Sequence, residues 1–235
     1  MPPPADPTAG ALAALDACFG GTTKLSLKGL GLPAALPAFL ASQLPSIPKV
    51  DFVDLSLNPA LASLPDEVGQ MPAVATLFAL GCGFEHVPPV IGQLSRLGML
   101  SFKSNRLAEM DEGSIPPSVH WLILTDNRLI TLPRSIGALT GLRKLMLSNN
   151  RISSLPAELC ACTSLELIRL SDNQLSELPA GLLRLPKLAW VALAGNPCVT
   201  PAGGSAVVAG SRLEMPPEVR PNTQTHPPQL CPCKN

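Results

Sequence analysis

Tyrosine is absent from the 235 residues, and tryptophan and phenylalanine number only two and six. With aromatics at 3%, the core has to be aliphatic, and an apolar content of 46% is ample for one. Charge of either sign is also in short supply. Lys plus Arg and Asp plus Glu both number 17, leaving no formal net charge. That balance builds no global field of the kind that draws nucleic acid or a membrane surface. No apolar run reaches the roughly 18–20 residues needed to span a bilayer. The opening Met1-Pro-Pro-Pro-Ala-Asp-Pro7 lacks a basic start and an apolar stretch, so no signal peptide is expected. There is no Asn-x-Ser/Thr acceptor. The seven cysteines (18, 82, 160, 162, 198, 231 and 233) are odd in number and lack framework spacing, which speaks against a secreted disulfide scaffold. Together these features predict a cytoplasmic protein without membrane insertion.

Catalytic phrases are missing as well. No phosphate-cradling glycine loop, kinase catalytic phrase, nucleophile elbow or zinc-protease motif occurs. His86, His120 and His226 are far apart in the chain, and His86 and His120 are expected at the surface. Cys231-Pro-Cys233 has no second Cys or His cluster near it to complete a metal site. Cys162 and Cys198 fall in slots otherwise held by core leucines, which assigns them to packing. The expectation is a protein that is not an enzyme and has neither cofactor nor metal.

What the chain does contain is a phrase that returns. Leu-x-Leu-x-x-Asn-x-Leu appears as Leu122 to Leu129, Leu145 to Ile152 and Ile168 to Leu175, and a last copy runs from Val191 to Pro197. Its asparagines, 127, 150, 173 and 196, stand 23 positions apart. Alternating leucines place two apolar side chains on one face of a short strand, and one repeat cannot bury that face alone. Copies must therefore stack side by side over a shared core. A fixed period in the twenties with this phrase is the signature of a leucine-rich repeat solenoid. The Asn amide, with donors and an acceptor, suits the bare backbone groups where adjacent turns meet. Asn58, Cys82, Asn105, Asn127, Asn150, Asn173 and Asn196 are read as that structural ladder, with a thiol in one slot.

Taken in order, residues 1–10 are expected to be poorly ordered. Ala9 to Phe19 reads as a capping helix through Leu12, Leu15 and Phe19. Lys24 to Leu32 is an irregular first copy with Leu30 in the Asn slot, and Pro33 to Pro48, with four prolines, is an irregular connection. Leu-Pro-x-x-Ile-Gly-x-Leu segments open at Leu64, Val87, Leu132, Leu155 and Leu178. Proline suits the first turn of a short helix, so 3-10 turns or short helices are expected on the outer side, packed through Ile91, Leu94, Ile136, Leu139, Leu159 and Cys162. The copy from Leu100 lacks its Leu-Pro and is one residue short. Residues 206–212 are expected to finish a capping turn, and the proline-rich tail from Met215 to be disordered. The organisation is thus a start and cap over 1–20, a solenoid of about eight repeats over 21–199, and a cap remnant and tail over 200–235.

Register decides which side chains leave the core. Residues six before the Asn slot (Phe52, Thr76, Met99, Trp121, Lys144, Leu167, Trp190) and four before it (Asp54, Phe78, Ser101, Ile123, Met146, Arg169, Ala192) point outward from the sheet. Both tryptophans fall in these rows. An apolar, aromatic-bearing solvent face marks an interaction site, and Trp and Arg are enriched in binding hot spots. Phe78, Met99, Trp121, Ile123, Lys144, Met146, Leu167, Arg169 and Trp190 are the expected contact residues for a protein partner. Strands about 4.8 Å apart make that face about 30–35 Å long.

From Val50 to Pro197 the repeats resemble the intracellular leucine-rich repeat family of 23-residue copies with the Leu-Pro-x-x-Ile-Gly phrase, the class of Ras-pathway scaffolds and plant Ras-group-related repeat proteins. The resemblance implies a curved, right-handed α/β solenoid with its parallel sheet on the concave face and short helices or 3-10 turns on the convex one. It also implies a monomeric cytoplasmic scaffold in signal transduction, recognising protein through the concave face. The closing phrase Leu185 to Cys198 is similar to the end of the repeat arm in some microbial and algal leucine-rich repeat kinases. The alternative expectation is therefore a regulatory arm whose catalytic domain is absent from this chain.

Overall fold

A computed structural model describes residues 7–199, 205–208 and 211–214. Eight three-residue strands form one parallel sheet in sequence order: β1 (Lys24–Ser26), β2 (Phe52–Asp54), β3 (Thr76–Phe78), β4 (Met99–Ser101), β5 (Trp121–Ile123), β6 (Lys144–Met146), β7 (Leu167–Arg169) and β8 (Trp190–Ala192). In each strand the central residue is buried, and all but one of the flanking side chains remain at least partly accessible. Leu77, Leu100, Leu122, Leu145 and Ile168 are fully enclosed there. The second leucine of each phrase, such as Leu124, Leu147 and Leu170, is equally enclosed. The core is thus one continuous aliphatic column under the sheet. Phe84 and Phe102 are its two buried rings, meeting edge to face at 5.1 Å.

The convex side is closed by 3-10 turns at Asp66–Gln70, Pro89–Gln93, Arg134–Ala138 and Ala157–Ala161, each entered from a proline, and by a shorter one at Leu182–Arg184. A glycine lets neighbouring turns approach. A Cβ on Gly137 would stand 2.6 Å from the Glu158 carbonyl oxygen.

The asparagines share a set of three backbone bonds, to which all but Asn196 add a longer one to a further carbonyl. The Asn150 Nδ2 group donates to the Leu124 and Leu147 carbonyls at 3.0 and 2.9 Å, and its Oδ1 accepts the Leu129 N–H at 3.0 Å. Asn58, Asn105, Asn127, Asn173 and Asn196 make the same set in their own repeats. Immediately before the ladder residue the backbone turns left-handed: Leu57, Gly81, Ser104, Asp126, Asn149, Asp172 and Gly195 all have φ between 55° and 78°. Most of these are residues that tolerate that conformation. Leu57, half exposed, is the bulky exception.

Several details depart from the sequence reading. The first helix, α1, runs Pro7–Phe19, so residues 7–10 are helical; residues 1–6 lie outside the described set. Its buried stripe is Ala11, Leu15 and Cys18, whereas Leu12 and Phe19 face outward at 46% and 53% exposure. Small residues let the helix close on the end of the core, and a Cβ on Gly10 would stand 2.7 Å from a Leu30 methyl. The 33–48 segment contributes no strand. It holds a short helix, α2 (Ala38–Ala41), and a 3-10 turn at Leu44–Ser46, burying Leu36, Leu40, Leu44 and Ile47 as the long convex limb of the first repeat. Over 206–212, where the sequence predicts a capping turn, the described residues are extended. Ser205–Val208 and Ser211–Glu214 pair as antiparallel strands β9 and β10. The tail from Met215 lies outside the described residues.

The short repeat between β4 and β5 has no 3-10 turn. In its place, the Glu112 carboxylate accepts the Arg134 and Ser135 N–H groups at 2.9 and 2.7 Å, filling the bare start of the next repeat's turn. These bonds, first of all those from Ser135, hold the Glu112 carboxyl below the usual carboxylate range.

Three outcomes follow for stability. Asn150→Ala strands two carbonyls and one N–H in a buried site and is expected to lower stability by about 2 kcal/mol or more, read from the urea midpoint. Leu57→Asn relieves a left-handed leucine and should raise stability by about 1 kcal/mol in the same assay. Because the folded-state pKa of Glu112 is depressed, its contribution is full above the unfolded carboxylate pKa and is lost as pH falls through the folded one. The stability gap between the native chain and Glu112→Gln should therefore be full at neutral pH and shrink progressively as pH falls below the ordinary carboxylate range; a gap that does not shrink with acid counts against the carboxylate bridge.

Candidate functional site

The two outward rows predicted from the phrase are aligned across the sheet. Phe52, Thr76, Met99, Trp121, Lys144, Leu167 and Trp190 are successive ladder partners, and so are Asp54, Phe78, Ser101, Ile123, Met146, Arg169 and Ala192. β1 adds Lys24 and Ser26 at the first edge. Every strand leaves a short gap to the next, of the order of 4.8 Å, so side chains of one row touch their neighbours. The Lys24 ammonium lies 5.7 Å from the Phe52 ring, which also meets Phe78 of the other row edge to face at 5.4 Å. Farther along, the Lys144 ammonium lies 4.4 Å from the Trp121 ring centre. Such a stacked cation gains about 0.5–1 kcal/mol at an exposed site.

Of the nine expected contact residues, Phe78, Met99, Trp121, Ile123, Lys144, Met146 and Leu167 are half-buried, while Arg169 and Trp190 are exposed. All nine lie on this one surface. Ser101 is buried among them. The Trp121 Nε1 atom is shielded from solvent and has no hydrogen-bond partner. Asp54 is the single carboxylate of the two rows, and its Oδ1 already accepts the Ser56 N–H at 2.9 Å.

Beside the rows is an ion pair that the sequence reading passed over. Arg143 grips Glu166 with two bonds of 2.8 and 3.2 Å, and this pairing holds the carboxyl low and raises the guanidinium. The two residues are 23 positions apart, so the period itself brings them side by side. Glu166 is also held ionised by Lys144 and Lys187.

Other features lie elsewhere. An open groove of about 720 Å³ runs along the flank, lined by residues that include Pro59, Leu64, His86, Pro88 and Arg106, and none of the nine contact residues reaches it. His86 lies 3.8 Å from Glu109, and both are exposed. His120 is exposed as well. Cys82, Cys162 and Cys198 are enclosed, their thiols pushed up by burial. Among the described residues no three His, Cys, Asp or Glu side chains converge as metal ligands would, and no helix is long and apolar enough to cross a membrane. His226 and Cys231-Pro-Cys233 lie outside the described residues.

The family model for the leucine-rich repeat matches residues 117–175 and 140–197. Comparison with curated proteins gives no match. Among solved structures, a leucine-rich repeat protein of Leptospira interrogans aligns with a TM-score of 0.59 at 22% identity, over 81% of this chain and 59% of the Leptospira protein. At that identity the likeness speaks for the fold alone. The single parallel sheet, the 3-10 turns opposite it and these matches make the chain a curved α/β solenoid of leucine-rich repeats.

Proposed function

We propose that this protein is a recognition module that binds another protein on the concave face of its sheet, and that it acts as a scaffold in cytoplasmic signalling. Arrays of this fold generally serve as protein-interaction modules. The observation that carries the reading is the placement of both tryptophans of the chain, Trp121 and Trp190, in one outward row with Met99, Lys144 and Leu167. Large rings and thioethers held half-open on a rigid sheet lose little side-chain freedom on contact and bury much apolar area. Enclosed thiols at Cys82, Cys162 and Cys198, standing in ladder and core slots, support a reducing compartment.

The test compares three forms of the protein: native, Trp121→Ala with Trp190→Ala, and His86→Ala in the flank groove. Circular dichroism first establishes that each is folded. Proteins captured from cell extract are then identified by mass spectrometry and bound again as purified material. A purified partner held by the native and His86→Ala forms, but weakened at least about tenfold by loss of the tryptophans, is the expected result. A partner lost only from the His86→Ala form would move recognition to the flank.

A further inference from the structure

We infer that the partner segment is acidic, a polypeptide stretch that sets Asp or Glu carboxylates over β6 and β7 while its apolar side chains cover Trp121 and Trp190. The inference rests on the concave-face reading and names the chemistry of what that face takes. Its basis is an imbalance of donors over acceptors in one half of the sheet. Across β5 to β8 neither outward row carries a carboxylate, hydroxyl or amide side chain. What those rows offer are donors: the Lys144 ammonium, the Arg169 guanidinium and the indole N–H groups.

The charges point the same way. Glu166 is the acid beside this region, and Arg143 already occupies both of its oxygens. Among the described residues Lys144 and Lys187 share its field and form no ion pair of their own, and Arg169 is exposed. Three cations therefore share one satisfied carboxylate, and Arg169 stands in the outward row beyond them, where neither row of β5 to β8 carries an acid. Asp126 stands at the far rim in the left-handed row, taken up by Ser104 and Asn149, with Asp172 two repeats farther along that row. The Trp121 N–H adds a buried donor with no acceptor. An incoming carboxylate that draws Lys144 from the ring would find the ammonium and the indole N–H together. Ile123, Met146 and Leu167 surround these donors with apolar surface, which suits a polypeptide better than a phosphate backbone, whose binding calls for many cations.

Intrinsic fluorescence makes the test direct. With no tyrosine and two tryptophans, both in the concave row, the protein's emission reports that face. Three labelled peptides of about twelve residues, long enough to cross the sheet at about 3.3 Å per residue, share alternating Leu and Phe and differ only in carrying Glu, Gln or Lys between them. Their binding is followed by anisotropy and by tryptophan emission at about 50 and 200 mM salt. The Glu peptide is expected to bind about five- to tenfold more tightly than the Gln peptide, with the Lys peptide weakest and the preference shrinking with salt. In the Lys144→Gln, Arg169→Gln variant the preference should vanish while the Gln peptide keeps its affinity within about twofold. No difference among the peptides, or a preference that survives this variant, overturns the proposal. So does tighter binding of an oligothymidylate of similar length. Equal Glu and Gln binding with a clear change in tryptophan emission leaves the concave reading standing and removes only the acidic one. Binding that leaves the emission unmoved and persists in Trp121→Ala, Trp190→Ala removes both.

Discussion

Each strand of this solenoid ends after three residues, and the backbone that follows dives into a wall of leucines. Its N–H and C=O groups would be orphaned there without the side-chain amide that reaches them from the ladder position. One Asn closes its own turn through one carbonyl and joins the previous repeat through a second carbonyl and an N–H. It is at once a local cap and the tie between neighbours. The outward rows are rigid because this tie fixes where every strand stops.

The irregular repeats show the same constraint from the other side. Cys82 replaces an amide with a weak donor, which bonds the Leu55 carbonyl at 3.3 Å but brings no amide oxygen. None is needed. The preceding repeat carries an extra residue after Asn58, and that slack lets the buried Leu61 N–H bond the Asn58 carbonyl at 2.9 Å. The insertion and the thiol thus explain one another. In the short fourth copy Asn105 keeps its full set, and what is missing is the 3-10 turn, in whose place Glu112 reaches forward to the backbone of the next repeat.

Register, core and outward rows were legible because period and alternation state them redundantly. Once Asn127 and Asn150 are aligned, Trp121 and Lys144 must be neighbours. What escaped was set by three-dimensional fit. Leu12, Leu15, Phe19 and Ala11, Leu15, Cys18 are both acceptable helical stripes, one residue apart around the helix. Bulk decides between them, since the smaller set allows closer approach to the core end. The convex limb at 33–48 was hidden by its prolines, which obscure the four-residue spacing of Leu36, Leu40 and Leu44. The Arg143–Glu166 pair needed only the period, applied one position before the outward rows. The left-handed position before each Asn could have been read from its run of Gly, Ser, Asp and Asn, with Leu57 standing out against it.

Buried sulfur has a further consequence. Cys18 lies in the first helix, Cys82 in the third repeat, Cys162 in the sixth and Cys198 just beyond β8. Burial holds their thiols protonated, that of Cys162 up to about 11. In a stack where each repeat leans only on its neighbours, opening is local. A sulfhydryl then meets an alkylating reagent when its own stretch breathes. Among the described residues the four buried sulfhydryls are thus clocks spaced along the array, and their relative rates would show whether it frays from an end or parts in the middle, where the short repeat interrupts it.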